Sequence, residues 1–536
     1  MKRFALIILM VILAASPLLV SCGGNGGDDV PAVFKSIKPL DLTVVLPAGG
    51  SDEIRFQVED PDYSFNFNAY SPECNIELRL QGGGVPTDFK ITRIIKTEGE
   101  GIYTATITDQ GTNPIYKESV CLAMKLGESS LILSKQFTVM SESAGSDELI
   151  VNTGLPIVYV NTAGNKSITS KTTDVEATFK INGMGKTDNL EEVSCRIRGR
   201  GNTTWTWPKK PYLVKLDKKQ SIFGLPEHKR WVLLANFMDR TLMRNVVSMK
   251  VASMMSNLDW TPHGQSVELV LNGSHQGTYL LVEQVRADED RVPCENGYLL
   301  ECDFHYDNPI QWIDYHGRCN QRGDGIPFGV KYPDSDELSQ QQLTYIKNYV
   351  STAATVLYGG NFTNATNGYT KYLDVASFID YWIVFEVMGN HELGNPGSVF
   401  MHMNREGGKL IAGPVWDFDW GVLSYKTSPQ AKYGLLNDKA IWYARLFEDP
   451  AFKEAVRKRW NEVLPKLQTI PAFIDETEKA LQATANLNFK MWNPAGDATQ
   501  NGGSIINGDE NMSYNDAVAL LKHNYKERLE VISKSL

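Results

Sequence analysis

Two stretches of the 536-residue chain gather the residue types that handle phosphate and metal. The first is Arg198-Gly-Arg-Gly-Asn-Thr-Thr-Trp205, followed by Lys209-Lys-Pro-Tyr-Leu-Val-Lys215. Glycines let a backbone approach an anion closely and aim N–H groups at its oxygens. Gly199 and Gly201, with Arg198 and Asn202 in the same stretch, are therefore candidates for a phosphate-covering turn. Lys215, on the apolar strand that follows, can add a point charge. The second stretch is Gly413-Pro-Val-Trp-Asp417-Phe-Asp419-Trp-Gly421, two carboxylates at the end of an apolar run. An anion-holding turn and an acidic pair together point to ATP held with a divalent metal such as Mg2+.

The order of residues between Glu386 and Gly421 tells how the acidic pair is placed. A helix ends at Glu386-Val-Met-Gly-Asn390-His-Glu392. Ser398–Met403, a turn at Arg405-Glu-Gly-Gly408, and Lys409–Gly413 then read as a hairpin. Antiparallel strands return the chain to its start, so Asp417 is expected beside Asn390 and Glu392. Magnesium takes hard oxygen ligands, commonly one or two carboxylates with phosphates and water. Asp417 is the first choice as metal ligand. Asp419 is second, because continued strand alternation would turn it away, and Asn390 can lend an amide oxygen. Glu392 can accept a proton from an acceptor hydroxyl. His391, at a helix end, reads as a cap or packing residue.

The elements that must position these residues divide the chain. Lys2 and Arg3 precede an apolar run from Phe4 to Val20 that ends Leu19-Val20-Ser21-Cys22. The run is short for a membrane span and has the shape of a signal peptide. Its end resembles a bacterial lipobox, so Cys22 is expected to be lipidated, leaving residues 1–22 as a lipoprotein signal. Residues 23–35 read as a flexible tether. Short alternating runs with Gly/Pro turns from 36 to 145 read as an all-β sandwich of the immunoglobulin-like class. From 150 to 536 the texture is mixed. Strands come first, at 157–160, 175–181, 194–198, 212–216, 266–271 and 277–283. Asp239 is expected to cap a helix after them, and the second half is mainly helical, with Asp374, Asp449-Pro450 and Ser513 as further caps. A strand-rich half followed by a helix-rich half suits a two-lobed α+β domain with a cleft.

Composition sets limits on partners. A net charge of −10 argues against general nucleic-acid binding. Lys209, Lys210, Lys215, Lys218 and Lys219 nevertheless form a local basic patch. Of seven cysteines, six remain after Cys22. Their spacing lacks C-x2-C, so buried thiols or disulfides are expected over zinc, and Cys74 with Cys121 is one candidate pair. The lipid anchor places the protein at a membrane of the cell envelope, outside the cytoplasm, with the outer membrane or cell surface expected.

Residues from about 155 to 536 resemble the spore coat protein H (CotH) kinase family. The resemblance rests on Arg198–Trp205, Lys209-Lys-Pro-Tyr212 with Lys215, Phe223-Gly224, Trp231–Asn236, Asp239–Asn245, Asn272-Gly273, Tyr279–Glu283, Asn390-x-Glu392 and Gly413–Asp419. It implies an atypical protein-kinase-like fold that transfers phosphate from ATP, with magnesium, to a protein acceptor. By this likeness Gly199 and Gly201 cover the nucleotide phosphates, Lys215 contacts them and Asp417 holds the metal. Glu283 is carried with the nucleotide side of the site. Many relatives have aspartate where this chain has Glu392, and the extra methylene moves the carboxylate by about 1.5 Å, a bond length. A second reading stays open, a catalytically weak or inactive kinase-fold surface lipoprotein that serves as an adhesion or structural binding module.

Overall fold

The computed structural model describes residues 36–536 apart from 42, 48–49, 59–75, 81–83, 87–88, 98–100, 111–116, 127–129, 143–150, 152, 306–307, 320–322, 493 and 495–506. The signal segment, Cys22, the tether and Cys74 lie outside the described residues. No helix among those described is long and apolar enough to cross a membrane.

Nine strands build the N-terminal region: β1 (Ile37–Pro39), β2 (Thr43–Pro47), β3 (Ser51–Val58), β4 (Ile76–Leu80), β5 (Phe89–Lys96), β6 (Ile102–Asp109), β7 (Lys117–Leu126), β8 (Ser130–Leu133) and β9 (Phe137–Glu142). They form one sheet in the order β1-β3-β6-β5 and another in the order β2-β9-β7-β4, with β8 paired to β7. Alternation supplies the packing. In β3, Ile54, Phe56 and Val58 are buried while Arg55 between the first two faces solvent. These residues share one core with Leu78, Leu122 and Val139 of the other sheet.

The next seven strands close on themselves. They are β10 (Ile157–Thr162), β11 (Val175–Asn182), β12 (Leu190–Gly199), β13 (Tyr212–Gln220), β14 (His228–Leu234), β15 (Gly264–Leu271) and β16 (Ser274–Glu283). The barrel order is β10-β11-β12-β13-β14-β16-β15, closed by parallel pairing of β10 with β15. Phe179, Ile197, Val214, Trp231, Leu233 and Leu281 share the inner core. The outer face of β13, β14 and β16 is apolar too. Leu213, Val232, Leu280 and Val282 pack there with Leu299, Phe400 and Trp416. β14 is thus buried on both faces and lacks the period-two pattern by which half-exposed strands are found.

A five-stranded sheet follows, β18-β19-β17-β20-β21, from β17 (Tyr298–Cys302), β18 (Gln311–Cys319), β19 (Gly323–Tyr332), β20 (Val399–Met403) and β21 (Ile411–Ala412). The helices are α1 (Thr203–Thr206), α2 (Arg244–Ala252), α3 (Gln340–Tyr358), α4 (Val375–Val387), α5 (Tyr443–Leu446), α6 (Pro450–Leu467), α7 (Ile470–Met491) and α8 (Tyr514–Ser535). Asp374 and Asp449 cap α4 and α6 through the amides of Ser377 and Ala451, and Ser513 caps α8 through that of Asp516. Asp239 does not directly precede its helix. Its carboxylate reaches forward to the Arg244 amide at 2.8 Å, and α2 begins there. α4 is buried nearly throughout and packs against α2, α6 and α8. Glu386 on α4 and Arg528 on α8 form an ion pair fully shielded from solvent.

Cys121, Cys195 and Cys294 are buried free thiols, and Cys302 is buried as well. Burial pushes the Cys195 thiol up to about 12, so it is inert as a nucleophile at neutral pH.

Candidate active site

The hairpin β20–β21 pairs Met401 with Ala412 and His402 with Ile411, and its turn uses Gly407 at φ +77°. Past β21 the chain leaves regular structure, and Asp417 adopts φ +67°. That left-handed conformation is uncommon for a residue with a Cβ and is tolerated by aspartate better than by most. It ends the strand alternation that would have separated the two carboxylates. Asp417 and Asp419 are instead in side-chain hydrogen-bond contact.

Buried side chains pin this loop. Phe418 N–H donates to Asn245 Oδ1 at 2.8 Å, and Gly421 N–H donates to Asn507 Oδ1 at 2.8 Å. Asn507 Nδ2 donates to the Asp419 carbonyl at 3.0 Å. Arg244 Nε donates to the Val422 carbonyl at 3.0 Å, while its other nitrogens pair with Asp239 and, at 2.7 Å, with Asp509. The Phe418 ring packs edge-on against Phe385 of α4, with centroids 4.7 Å apart. A loop held at so many points arrives with its carboxylates already oriented.

Across from it stands the end of α4. Asn390 is fully buried, and its Oδ1 accepts the Glu392 amide at 2.8 Å. This bond fixes the turn that presents the Glu392 carboxyl. Burial, then Asp417, Asp419 and Asp303, push that carboxyl well above the usual range. Asp419 is pushed up in the same way, by burial and then by Asp417 and Asp239. Asp303, just past β17, is raised by burial, with Glu301 adding to it. Like charges gathered in a partly dry place cannot all stay ionised. Arg200 is the nearby cation. It is pulled down by burial, held up by Asp417, Glu301 and Asp419, and its guanidinium lies 5.4 Å from the Trp416 ring centre.

The other expected residues sit elsewhere. Lys215 is on the outer face of β13, directly between Arg196 of β12 and Arg230 of β14. Arg230 is the main influence on it and lowers its pKa, followed by burial and Arg196. The structure therefore does not join Lys215 to the acidic pair. Glu283 points toward the barrel's inner side, where it lies 3.7 Å from Arg291 and 3.2 Å from His263, away from the carboxylate cluster. Gly199 is needed for internal packing, since a Cβ there would meet the Trp205 ring at 2.3 Å. Gly201, at φ +83°, similarly makes room for Thr204. Arg198 faces Asp174 at 3.7 Å, and Asn202 accepts from Lys171 at 3.0 Å. Of the basic patch, Lys209 is not a surface residue. It is buried over the Tyr279 ring and donates to the Thr278 carbonyl and to Asn488 Oδ1. His391 meets Ser428 Oγ at 3.1 Å, a packing role.

Sequence reasoning passed over Arg200, Asn245, Asn507 and Asp303. The signal for Arg200 was present. Arg196 and Arg198 alternate with the inward-facing Ile197 along β12, and Arg200 continues that spacing one residue past its end. Asn507 is 86 residues from the Gly421 it holds, and no spacing rule reaches that far.

Among the described residues no group of three or more His, Cys, Asp or Glu side chains forms a ready metal site. The site's chemistry still suits magnesium, which needs one or two carboxylates beside phosphate oxygens and water. Asp417 and Asp419 supply two. Asn390 Nδ2 and Glu392 Oε2 are enclosed without a hydrogen-bond partner among the described residues, and such orphaned polar atoms mark a place made for another group.

A closed barrel, a buried helix and a pinned acidic loop carry the motifs in this order, and a family match over the same residues suggests a kinase-like fold. The family model described as CotH kinase protein matches residues 197–532, more than half of the chain, and the chain belongs to the CotH kinase family. No curated protein matches it.

Proposed function

We propose that the protein is an envelope lipoprotein whose residues 150–536 form a two-lobed atypical kinase domain that transfers phosphate from ATP to a protein acceptor. The observation that carries this reading is the clustering of Glu392, Asp417 and Asp419, with Arg200 stacked on the adjoining Trp416. Bound Mg2+ supplies positive charge to the triphosphate, and Asp417 and Asp419 hold it, with Asn390 alongside. Glu392 takes the acceptor's hydroxyl proton at its carboxylate, whose neighbours Asp417 and Asp419, with burial, favour its protonated form. Residues 36–145 serve as an immunoglobulin-like spacer between this domain and a lipid on Cys22, with residues 1–22 removed and 23–35 as tether. The acceptor is then a protein at the envelope, outside the cytoplasm.

Incubation with ATP and magnesium, followed by mass spectrometry of the chain and of added acceptor proteins, tests this. Phosphate incorporation is expected, and Asp417→Ala removes it. No incorporation together with no ATP binding contradicts it. The placement of Lys215 and Glu283 away from the cluster favours a second reading, a kinase-fold surface module that acts by binding. In that case partner binding survives Asp417→Ala.

A further inference from the structure

We propose that Arg200 is the residue that grips the terminal phosphate of the nucleoside triphosphate. The inference rests on the phosphoryl-transfer reading above and names the cation that reading needs.

The other basic residues of the two phosphate-suited stretches are engaged elsewhere. Arg198 faces Asp174, and Lys215 stands between Arg196 and Arg230. Lys209 is buried against Asn488, and Lys210 donates to the Trp205 carbonyl at 2.9 Å. Arg244 is saturated by Asp239, Asp509 and the Val422 carbonyl. Arg200 and Lys215 alone among these have no ion pair and no side-chain hydrogen bond to any described residue, and of the two Arg200, which is half-buried, is the one stacked on Trp416 beside Asp417.

Its backbone is fixed. Arg200 N–H donates to the Pro211 carbonyl at 3.2 Å, between Gly199, which ends β12, and Gly201 at φ +83°. Its guanidinium is oriented by the Trp416 face, one residue before Asp417. A half-buried cation without a partner is costly to keep. The carboxylates that act on it, Asp417 and Asp419, are the same ones that act on Glu392. Trp416, which holds the guanidinium, directly precedes Asp417, so a phosphate on the planar five-donor fork of Arg200 would lie beside the acidic pair. A terminal phosphate fits that fork with two oxygens.

In the transfer step the acceptor hydroxyl oxygen bonds to the terminal phosphorus. The bond from that phosphorus to the bridging oxygen breaks, and its electron pair leaves with the diphosphate. The hydroxyl proton goes to Glu392. Arg200 exchanges no proton and offsets charge on the transferred group.

Calorimetric titration of the wild type, Arg200→Ala and Arg200→Lys with the magnesium complexes of ADP and of a non-hydrolysable ATP analogue tests the assignment. Arg200→Ala is expected to weaken the triphosphate analogue by roughly tenfold to a hundredfold, the range for a hydrogen bond to a charged group. ADP affinity should change by less than about twofold, because the lost bond lies beyond its last phosphate. Arg200→Lys should fall between, keeping the charge but not the fork. Equal loss for both nucleotides, or loss for neither, overturns the assignment. So does a variant that melts earlier while preserving the wild-type preference for triphosphate, since Arg200 then only packs on Trp416. If the wild type binds neither nucleotide, the phosphoryl-transfer reading fails with it.

Discussion

Replacing Asn245 by alanine probes whether the acidic loop is built in advance. Asn245 is buried on α2, and its side chain makes two bonds. Oδ1 accepts from Phe418 N–H at 2.8 Å, and Nδ2 donates to Asn236 Oδ1 at 3.1 Å. Both partners are buried as well. Each bond has a net worth of about 1 kcal/mol, and each buried group left unpaired costs about 1–3 kcal/mol. The alanine variant should therefore lose about 2–6 kcal/mol for the two groups left unpaired, toward the lower figure if the loop swings out to water. That swing is the functional point, because Phe418 lies between Asp417 and Asp419. Denaturant melts followed by tryptophan fluorescence give the stability loss, and calorimetry gives Mg·ATP affinity. Both should fall in Asn245→Ala. Asn245→Asp keeps an acceptor for Phe418 and should retain more of the ATP affinity. An alanine variant with wild-type stability and wild-type nucleotide affinity would refute the claim that this bond organises the loop.

Three further outcomes follow from the same interactions. Glu392 has a raised pKa in the folded state, so it contributes stability below its unfolded value near 4.5 that is lost as pH rises through the folded value; Glu392→Gln should melt higher than wild type at pH 8 while losing phosphoryl transfer, and a lower melting temperature contradicts this. Burial lowers Lys209 to about 7, so its contribution is present above about 10.5 and lost as pH falls toward 7; the melting temperature of wild type should gain relative to Lys209→Met between pH 7 and 10, and parallel pH profiles would rule it out. Arg528→Met leaves Glu386 charged and enclosed, which costs about 3–5 kcal/mol for a broken buried pair; a melting temperature equal to wild type would show that the α4–α8 pair contributes nothing.

Much of this fold was legible where period and capping speak locally. The caps Asp374, Asp449 and Ser513, the hairpin that returns Asp417, and six barrel strands follow from residue spacing. β14 escaped because both its faces are buried, and β17 to β19 escaped because charged and histidine residues interrupt them. The site divided in the same way. Glu392, held by Asn390, meets Asp417 and Asp419 because a short hairpin returns the chain, a local fact. Which cation lies beside the acidic pair was not legible, because that depends on closure of a barrel and on which arginine finds Trp416. Lys215 occupies the strand position a lysine needs, yet its neighbours across the ladder are Arg196 and Arg230, and only the register reveals that. The glycines illustrate a second lesson. A glycine that invites phosphate can equally be one that admits a tryptophan ring, as Gly199 does.

The central claim is that a metal-bound triphosphate sits between Arg200 and the Asp417–Asp419 pair. A crystal structure of the protein with magnesium and a non-hydrolysable ATP analogue tests it most directly. The account predicts the metal on Asp417 and Asp419, the terminal phosphate on the Arg200 guanidinium, and Glu392 facing that phosphate. Density for the triphosphate along the Arg196–Lys215–Arg230 row, with Asp417 uncontacted, would contradict it.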